Sequence, residues 1–241
     1  MVRIGCCGFA KAQDKYFAAF RALEVQKTFY QPPKTATLAR WRHNAPEDFE
    51  FTVKAWQLIT HRSASPTYRR VKTPLSEQEK AQAGDFQLNA LTRQAWEQTL
   101  ACARALHADK ILFQCPASFR PTDENMERVA RFFRAVDTGG YLLLFEPRGK
   151  WHDTDIDQVC RISGLYHAVD PFKQLPVTSG IRYYRMHGIS GYYHRYTTEE
   201  LKQLRSMLSS QNPYYCFFNN VSMFEDAAAF QQLMDKDLMN S

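Results

Sequence analysis

Short apolar segments recur along the whole chain and alternate with stretches of helical period. Their β-branched and aromatic residues favour strands, and strands that alternate with helices are typical of βαβ units in a parallel sheet. The predicted strands are Val2–Cys7, Leu23–Phe29, Phe49–Ala55, Lys110–Cys115, Tyr141–Phe145, Leu165–Val169, Ile181–His187 and Tyr214–Phe218. The pattern therefore gives eight strands, each followed by a connection or a helix.

Helix signals between these strands support the alternation. A threonine precedes the helix predicted over Asp123–Val136, and the last helix is predicted over Phe224–Leu238. Eight such pairs in 241 residues, close to the typical size of about 250 residues, predict an α/β fold of the (β/α)8 TIM-barrel type. These eight pairs account for residues 1–241, so we expect a single domain.

An open, doubly wound sheet is the alternative fold. Its usual dinucleotide-binding turn is GxGxxG, but only Gly5 and Gly8 lie near the end of the first strand, and no third glycine follows in register. The missing turn weakens this alternative.

The connection after the third predicted strand is unusually long. About 30 residues separate this strand from a helix expected to begin near Phe86, and loops of that length tend to be lids, binding loops or disordered segments. Its basic residues are Arg62, Arg69, Arg70 and Lys72. Within this connection no acidic residue precedes Glu77, so we expect a basic loop over residues 62–72.

The net charge of the chain gives a weak indication of its partners. The chain carries 31 Lys and Arg against 25 Asp and Glu, for a net charge of +6, and the excess lies in residues 1–120. A basic balance favours anionic partners such as phosphates or nucleic acid without demanding them. A hydrophobic content of 44% excludes the disordered class.

Cysteine usage and hydropathy point to a reduced, cytoplasmic protein without a membrane partner. The six cysteines form no CxxC pair, and neither a signal peptide nor an apolar window of membrane-spanning length is found. Cys6 and Cys7 are neighbours on one strand and face opposite ways, so buried inert thiols are expected. No HExxH, Walker phosphate loop or GxSxG motif occurs.

Candidate site residues follow from the predicted barrel, because this fold builds its site at the carboxyl ends of the strands. The candidates are Tyr30, Lys54, His61, Gln114, Glu146, Arg148, Asp170, Arg185, His187, Asn219 and Asn220. Glu146 and Arg148 are two residues apart, as are Arg185 and His187, so each pair projects to the same side of its strand. Internal salt bridges of Glu146 with Arg148 or Arg185 are the structural alternative to a functional role.

A divalent metal is possible but not favoured. Glu146, Asp170 and His187 would supply two carboxylates and an imidazole from consecutive strands. The eighth strand, however, ends in Asn219 and Asn220, which are weaker ligands. No metal ligand is therefore assigned, and the cofactor stays open.

A tyrosine cluster follows the seventh predicted strand. Residues 192–196 read YYHRY and lie behind Gly188 and Gly191. Loops after strands seven and eight often bind phosphate in this fold, and tyrosines beside an arginine could stack on bases or sugars. A tyrosine-rich loop that closes the barrel rim is about as well supported.

Eight short motifs resemble, in order, the YecE-like family, a domain of unknown function (72) with a TIM-barrel-like fold. They are IGCCGF at 4–9, LEVQKTFYQPP at 23–33, FEFTVKA with ITH at 49–61, LFQCP at 112–116, FEPR at 145–148, VDP at 169–171, YYRMHG at 183–188 and FFNN at 217–220. The resemblance marks Lys54, Glu146, Arg148, His187 and Asn220 and brings no established reaction. The chain has cysteines at positions 6 and 7, where the family usually has threonine and serine, which puts a hydroxyl role there in doubt.

These observations favour an enzyme for a phosphorylated or nucleic-acid substrate. Lys54, Arg148 and Arg185 would hold anionic oxygens, while Glu146 or His187 would act as general base and acid. Asp170 is the remaining catalytic candidate. The expected reaction is phosphodiester hydrolysis or a sugar-type isomerisation. The alternative is a non-catalytic nucleic-acid-binding protein that uses the loop at 62–72 and the tyrosines of 192–196. A structural scaffold is the third interpretation.

Overall fold

Eight parallel strands close into a barrel in the order β1 to β8. The computed structural model describes residues 1–239, with side chains as far as residue 236. The strands are β1 (Val2–Cys7), β2 (Ala22–Val25), β3 (Glu50–Lys54), β4 (Lys110–Gln114), β5 (Leu142–Glu146), β6 (Leu165–Val169), β7 (Arg182–Met186) and β8 (Tyr214–Phe218). This is the α/β TIM-barrel fold that the sequence predicts.

Ten α-helices alternate with these strands in the described chain. They are α1 (Gln13–Ala19), α2 (Lys27–Tyr30), α3 (Thr35–Asn44), α4 (Gln57–Thr60), α5 (Glu77–Gln82), α6 (Ala90–Leu106), α7 (Asp123–Ala135), α8 (Asp153–Ser163), α9 (Thr198–Ser206) and α10 (Met223–Met239). In α7, the Thr122 side chain caps the first turn, and Met126, Val129 and Phe133 are buried at helical spacing.

The chain divides into two compact units. The central unit consists of Val25–Asn44 and Phe51–His167, and the terminal unit consists of Met1–Glu24, Ala45–Glu50 and the chain from Ala168 onward. The single domain over residues 1–241 stays a prediction, and its last two positions lie outside the described residues.

Aromatic side chains form much of the core of the central unit. Phe113 on β4 lies 4.9 Å from Phe133 of α7 and 5.7 Å from Trp96 of α6, measured between ring centres. Phe86 and Phe132 complete the group at less than 2% exposure. Full burial of such a ring contributes about 1.5–3 kcal/mol, so this cluster fixes α6 and α7 against the strand that carries Gln114.

The second strand is shorter than the sequence predicts. The expected strand over Leu23–Phe29 ends at Val25, and the residues after it form the single turn α2. The Thr28 hydroxyl contacts the carbonyl oxygens of Val25 and Lys54 at 2.8 and 2.7 Å. The contact of Thr28 with the end of β3 therefore favours the turn, although the local sequence pattern predicts that the strand continues.

The sixth helix begins later than predicted. The expected start near Phe86 was wrong, because Asp85 and Phe86 both have a φ of 51° and cannot continue a helix. The Asn89 side chain accepts a hydrogen bond from Thr92 N at 3.1 Å and caps the helix that begins at Ala90.

The helices described within residues 1–239 are short or carry polar faces. None of the helices there combines the length and the apolar character needed to cross a bilayer.

Candidate functional site

Lys54 ends β3 in the central unit with its ammonium group enclosed. The Nζ atom lies 3.7 Å from the centre of the Phe29 ring and donates to Gln114 Oε1 at 2.8 Å. The residue is only 4% exposed. The ring face and the amide oxygen each offer partial negative charge to the ammonium group.

Glu146 ends β5 in the same unit and forms an ion pair with Arg148. The Arg148 Nη2 atom lies 2.9 Å from Glu146 Oε1, and the arginine side chain remains 32% exposed. This is one of the internal salt bridges that the sequence left open. Lys54 and Arg148 are positive and Glu146 is negative, so these three groups together carry a net charge of +1.

His61 lies directly after α4 and is neutral at pH 7. Its ring packs edge to face on Phe29 at 4.9 Å, and its Nδ1 atom lies 2.7 Å from the Thr60 hydroxyl. Burial, with a smaller contribution from the charge of Lys54, lowers the pKa of His61 to about 3. A neutral His61 can bind a substrate by hydrogen bonds and adds no positive charge.

Buried histidines predict how stability depends on pH. The pKa is about 3 for His61 and about 4 for His167, both lowered from 6.5 mainly by burial. Between these values and pH 6.5 the unfolded chain binds more protons than the folded one. Stability should therefore decrease as the pH is lowered below 6.5, on the order of 1.4 kcal/mol per pH unit for each histidine.

Urea unfolding between pH 7 and pH 4.5 measures this slope. His167→Asn should flatten it, whereas the same substitution of the exposed His43 should leave it unchanged. A slope that is identical in wild type and in H167N contradicts the assignment.

The long basic connection is folded rather than extended. Tyr68 OH donates to the carbonyl oxygen of His61 at 2.8 Å, and Gly84 N donates to that of Leu58 at 2.8 Å. Its short helices are α5 and a 3₁₀ turn at Pro66–Arg70. These contacts tie the segment to α4.

Two of the basic residues in this connection are already engaged. Arg62 forms an ion pair with Asp85. The Arg70 guanidinium lies 4.5 Å from the centre of the Tyr30 ring. Arg69 and Lys72 are exposed, and Arg62 and Arg70 remain exposed as well, so the connection still presents a basic surface.

Arg185 is fully buried in the terminal unit and binds Glu24. Its Nε and Nη2 atoms lie 2.9 and 2.8 Å from the two carboxylate oxygens, and both residues are 0% exposed. Tyr183 OH donates to the same carboxylate at 2.8 Å. The predicted anion-binding role of Arg185 does not suit a guanidinium held this way, because the buried carboxylate already neutralises it.

The pairing of Glu24 with Arg185 is not among the sequence predictions. Glu24 is a lone acidic residue in the apolar strand ALEV. A carboxylate buried in a strand needs a cationic partner, and that signal could have identified it.

His187 follows β7 and contacts both Arg185 and Asp170. Its Nε2 atom lies 3.3 Å from Arg185 Nη1. Arginine can only donate, so Nε2 accepts and the ring is neutral with its proton on Nδ1. That nitrogen lies 3.7 Å from Asp170 Oδ2, which also accepts from the His187 backbone N at 3.1 Å. Arg185 therefore positions His187 and selects its tautomer.

The two asparagines after β8 have different surroundings. Asn219 is partly exposed, and its backbone N donates to Met186 O at 2.8 Å. Asn220 is 1% exposed, and its Nδ2 atom donates to His194 O and to Asp226 Oδ2, both at 2.6 Å. Asn220 thus joins the loop after β7 to α10.

The tyrosine cluster at 192–196 separates into two parts. Tyr192 and Tyr193 are 56% and 84% exposed. Tyr196 is buried, and its hydroxyl accepts a hydrogen bond from Gly188 N at 3.0 Å. Only the first two tyrosines are therefore placed to stack on a ligand.

Metal-ligand geometry is absent from the described part of the chain, residues 1–239. No group of three or more His, Cys, Asp or Glu side chains there is arranged to hold a metal ion.

All six cysteines are free and buried. Burial raises the pKa of Cys6 to about 12 and that of Cys7 well above its usual value. The thiolate, the nucleophilic form, is therefore not populated at neutral pH, as expected for inert thiols.

Comparisons with known proteins agree with this architecture. A DUF72 family protein of Enterococcus faecalis superposes with a TM-score of 0.72 at 18% identity, covering 98% of this chain and 96% of that one. A DUF72 family protein of Thermotoga maritima gives 0.71 at 22% identity, with 98% and 99% covered. Endonuclease IV of Thermus thermophilus gives 0.59 at 11% identity, with 99% and 100% covered, a likeness of fold alone.

Sequence comparison identifies the family. No curated protein sequence matches the chain. The family model described as "Protein of unknown function DUF72" matches residues 4–240, the family that the eight motifs resemble. With its barrel of eight parallel strands and this match over nearly its whole length, the chain belongs to the DUF72 family.

Proposed function

We propose that the protein is an enzyme that acts on a phosphorylated or nucleic-acid substrate by acid–base chemistry. The observation that carries the proposal is the group formed by Lys54, Gln114, Glu146 and Arg148 at the carboxyl ends of β3, β4 and β5. Active sites of TIM-barrel enzymes lie at this end of the strands. We refer to these four residues as the lysine–glutamate cluster.

The chemistry of the cluster suits a phosphorylated substrate. Lys54 and the partly exposed Arg148 are donors for phosphate oxygens, and charge-assisted hydrogen bonds of this kind are the strong ones. Glu146 is buried next to them and is the group that would move a proton during the reaction. The expected reactions are a sugar-type isomerisation or phosphodiester hydrolysis.

His187 and Asp170 stay predicted catalytic residues of the terminal unit. His187 would accept a proton only after Nε2 leaves the Arg185 guanidinium, and the Asp170 carboxylate would then stabilise the charged ring. Arg185 enters this proposal only as a positioning residue for His187, because its guanidinium is paired with Glu24.

Non-catalytic binding of nucleic acid is the less supported alternative. Arg62 pairs with Asp85 and Arg70 lies over the Tyr30 ring, so two of the four cations in the basic connection already have a partner, although both side chains remain exposed. Affinity for single-stranded DNA that falls steeply with salt would favour this alternative.

Replacing Lys54 tests the proposal through phosphate binding. Lys54→Met should weaken the binding of inorganic phosphate by about 10- to 100-fold, since a hydrogen bond to a charged group contributes about 1.5–3 kcal/mol. Isothermal titration calorimetry measures the change.

The matched control is Lys110→Met. Lys110 is also buried, but it lies at the amino end of β4 and pairs with Asp109 at 2.7 Å. Phosphate affinity should not change in K110M. Equal phosphate affinity in wild type and K54M contradicts the proposal.

A further inference from the structure

Ser190, His194 and Glu200 form a chain of hydrogen bonds between the loop after β7 and the first turn of α9. The Ser190 hydroxyl lies 3.0 Å from His194 Nδ1, and His194 Nε2 lies 3.0 Å from Glu200 Oε2. The three residues belong to the terminal unit and share no member with the lysine–glutamate cluster. A hydroxyl, an imidazole and a carboxylate linked in this order are the arrangement of a nucleophile, its base and the group that orients the base.

Two consecutive turns hold Ser190 and His194 in place. Gly191 N donates to Gly188 O at 3.1 Å, and His194 N donates to Gly191 O at 2.9 Å. Gly188 has a φ of +83°, and a Cβ atom there would lie 2.1 Å from Gly191 O and 2.7 Å from His194 Cβ. Only glycine therefore allows the loop to close this tightly. The Ser190 side chain remains exposed, so a substrate can reach its hydroxyl.

The charge of Glu200 determines the direction of these hydrogen bonds. Burial alone would raise the pKa of Glu200, but hydrogen bonds from Thr197 and His194 outweigh it and lower that pKa below its usual value. An ionised carboxylate only accepts, so in the neutral ring Nε2 carries the proton and Nδ1 accepts from the Ser190 hydroxyl. The ring is reversed relative to the serine triad in which Nε2 faces the serine. Either ring nitrogen can act as the base while the other donates.

We infer that Ser190 is the nucleophile of an acyl-transfer site that hydrolyses carboxylic esters, with His194 as its general base and Glu200 as the residue that positions this base. The serine lies in the sequence GISG at 188–191 and not in a GxSxG motif, so the motif search does not find it. This second activity does not depend on the proposed function.

The reaction has two steps at the same serine. Ser190 Oγ forms a bond to the ester carbonyl carbon, and its proton passes to His194 Nδ1. The bond between the carbonyl carbon and the alcohol oxygen then breaks, and the alcohol leaves with that proton. Water adds to the acyl carbon and gives a proton to Nδ1, and Ser190 Oγ leaves with this proton, so the products are an alcohol and a carboxylic acid.

The surroundings of Ser190 favour a substrate with an apolar group. Ile189 and Tyr192 are 41% and 56% exposed. Val221 is 51% exposed, and its backbone N donates to Tyr192 O at 2.8 Å. Exposed apolar side chains thus lie next to the serine along the chain, and they can contact the acyl or aryl group of an ester.

A phosphate ester fits this loop less well. Arg195, the first Lys or Arg after Ser190, lies close enough to Glu225 and Asp226 to interact with both carboxylates. Glu200 adds a further negative charge to the chain of hydrogen bonds. The local charges therefore favour a neutral ester over an anionic one.

The N-terminal cap of α9 is the structural alternative for Glu200. Thr197 N donates to Glu200 Oε2 at 2.8 Å, and Glu200 N donates to Thr197 Oγ1 at 3.3 Å. This capping box is complete without Ser190 and His194, so it does not explain the hydrogen bond between those two. Glutamine also serves in a capping box. Glu200→Gln thus keeps the cap and removes the charge that positions the base.

Ester hydrolysis and covalent labelling test the site. The wild type should release p-nitrophenolate from p-nitrophenyl butyrate faster than buffer alone, and a fluorophosphonate should label Ser190, as identified by peptide mass spectrometry. Ser190→Ala and His194→Gln should each lower the hydrolysis rate by about 100-fold or more. The matched control is Ser206→Ala, at an exposed serine of α9 whose hydroxyl donates to Gln203 O at 2.7 Å. This control should keep the wild-type rate.

Glu200→Gln separates the positioning role from the cap. We expect kcat to fall on the order of 100-fold, with KM and Tm close to those of the wild type. An unchanged kcat in E200Q would show that Glu200 only caps the helix and would overturn its assigned role.

Two further results would overturn the site as a whole. One is a hydrolysis rate of the wild type no higher than that of buffer. The other is equal hydrolysis or equal labelling in wild type and S190A. Neither result bears on the proposed function, which is tested by phosphate binding at Lys54.

Discussion

Arg185→Met is expected to lower the free energy of unfolding by about 3–5 kcal/mol, because it leaves the Glu24 carboxylate buried without its cation. Both side chains are 0% exposed and two hydrogen bonds join them. Tyr183 also donates to this carboxylate and cannot neutralise it. Urea unfolding of wild type and variant measures the loss.

Two further variants make this test specific. Arg134→Met removes an exposed ion pair with Glu127 and should change stability by no more than about 1 kcal/mol. The double variant Glu24→Leu, Arg185→Met removes both buried charges, so it should be more stable than R185M alone. A loss in R185M no larger than that in R134M would show that the buried pair does not stabilise the barrel interior.

Glu146→Gln is expected to reduce turnover by about 100- to 10,000-fold, the contribution typical of a general acid or base. Glutamine keeps the size of the side chain and cannot take up the proton. The same change removes the carboxylate that lies 2.9 Å from Arg148, so phosphate affinity should stay equal or rise. Loss of turnover together with retained binding is the signature of a proton-transfer role.

Steady-state kinetics on pentose and hexose phosphates and on a chromogenic phosphodiester measure this effect. Glu97→Gln, on the exposed surface of α6, is the matched control and should keep full activity. Full turnover in E146Q contradicts the catalytic assignment. Absence of turnover by the wild type on every member of the panel contradicts the enzyme proposal.

The strands could be predicted from the sequence because burial on both faces of a parallel barrel strand selects short apolar segments. The predicted Val2–Cys7, Leu165–Val169 and Tyr214–Phe218 coincide with β1, β6 and β8. The end of β2 could not be predicted. The Thr28 hydroxyl contacts Lys54 O, a residue 26 positions away, and local residue preference does not reveal such a contact.

The candidate site likewise combines contacts that the sequence predicts with contacts that only the folded chain determines. Glu146 and Arg148 are two residues apart, so strand alternation places them on one side and makes their pairing foreseeable. Arg185 and Glu24 are 161 positions apart, and only the folded barrel determines which acidic residue meets this arginine.

The lysine–glutamate cluster should bind the anionic group of a substrate. A crystal soaked in tungstate, a phosphate-like anion with strong anomalous scattering, tests it most directly. We expect an anomalous peak within about 4 Å of Lys54 Nζ or of the Arg148 guanidinium, and its loss in crystals of K54M. Peaks confined to exposed basic residues such as Arg69 and Lys72, with none at the cluster, would contradict the claim.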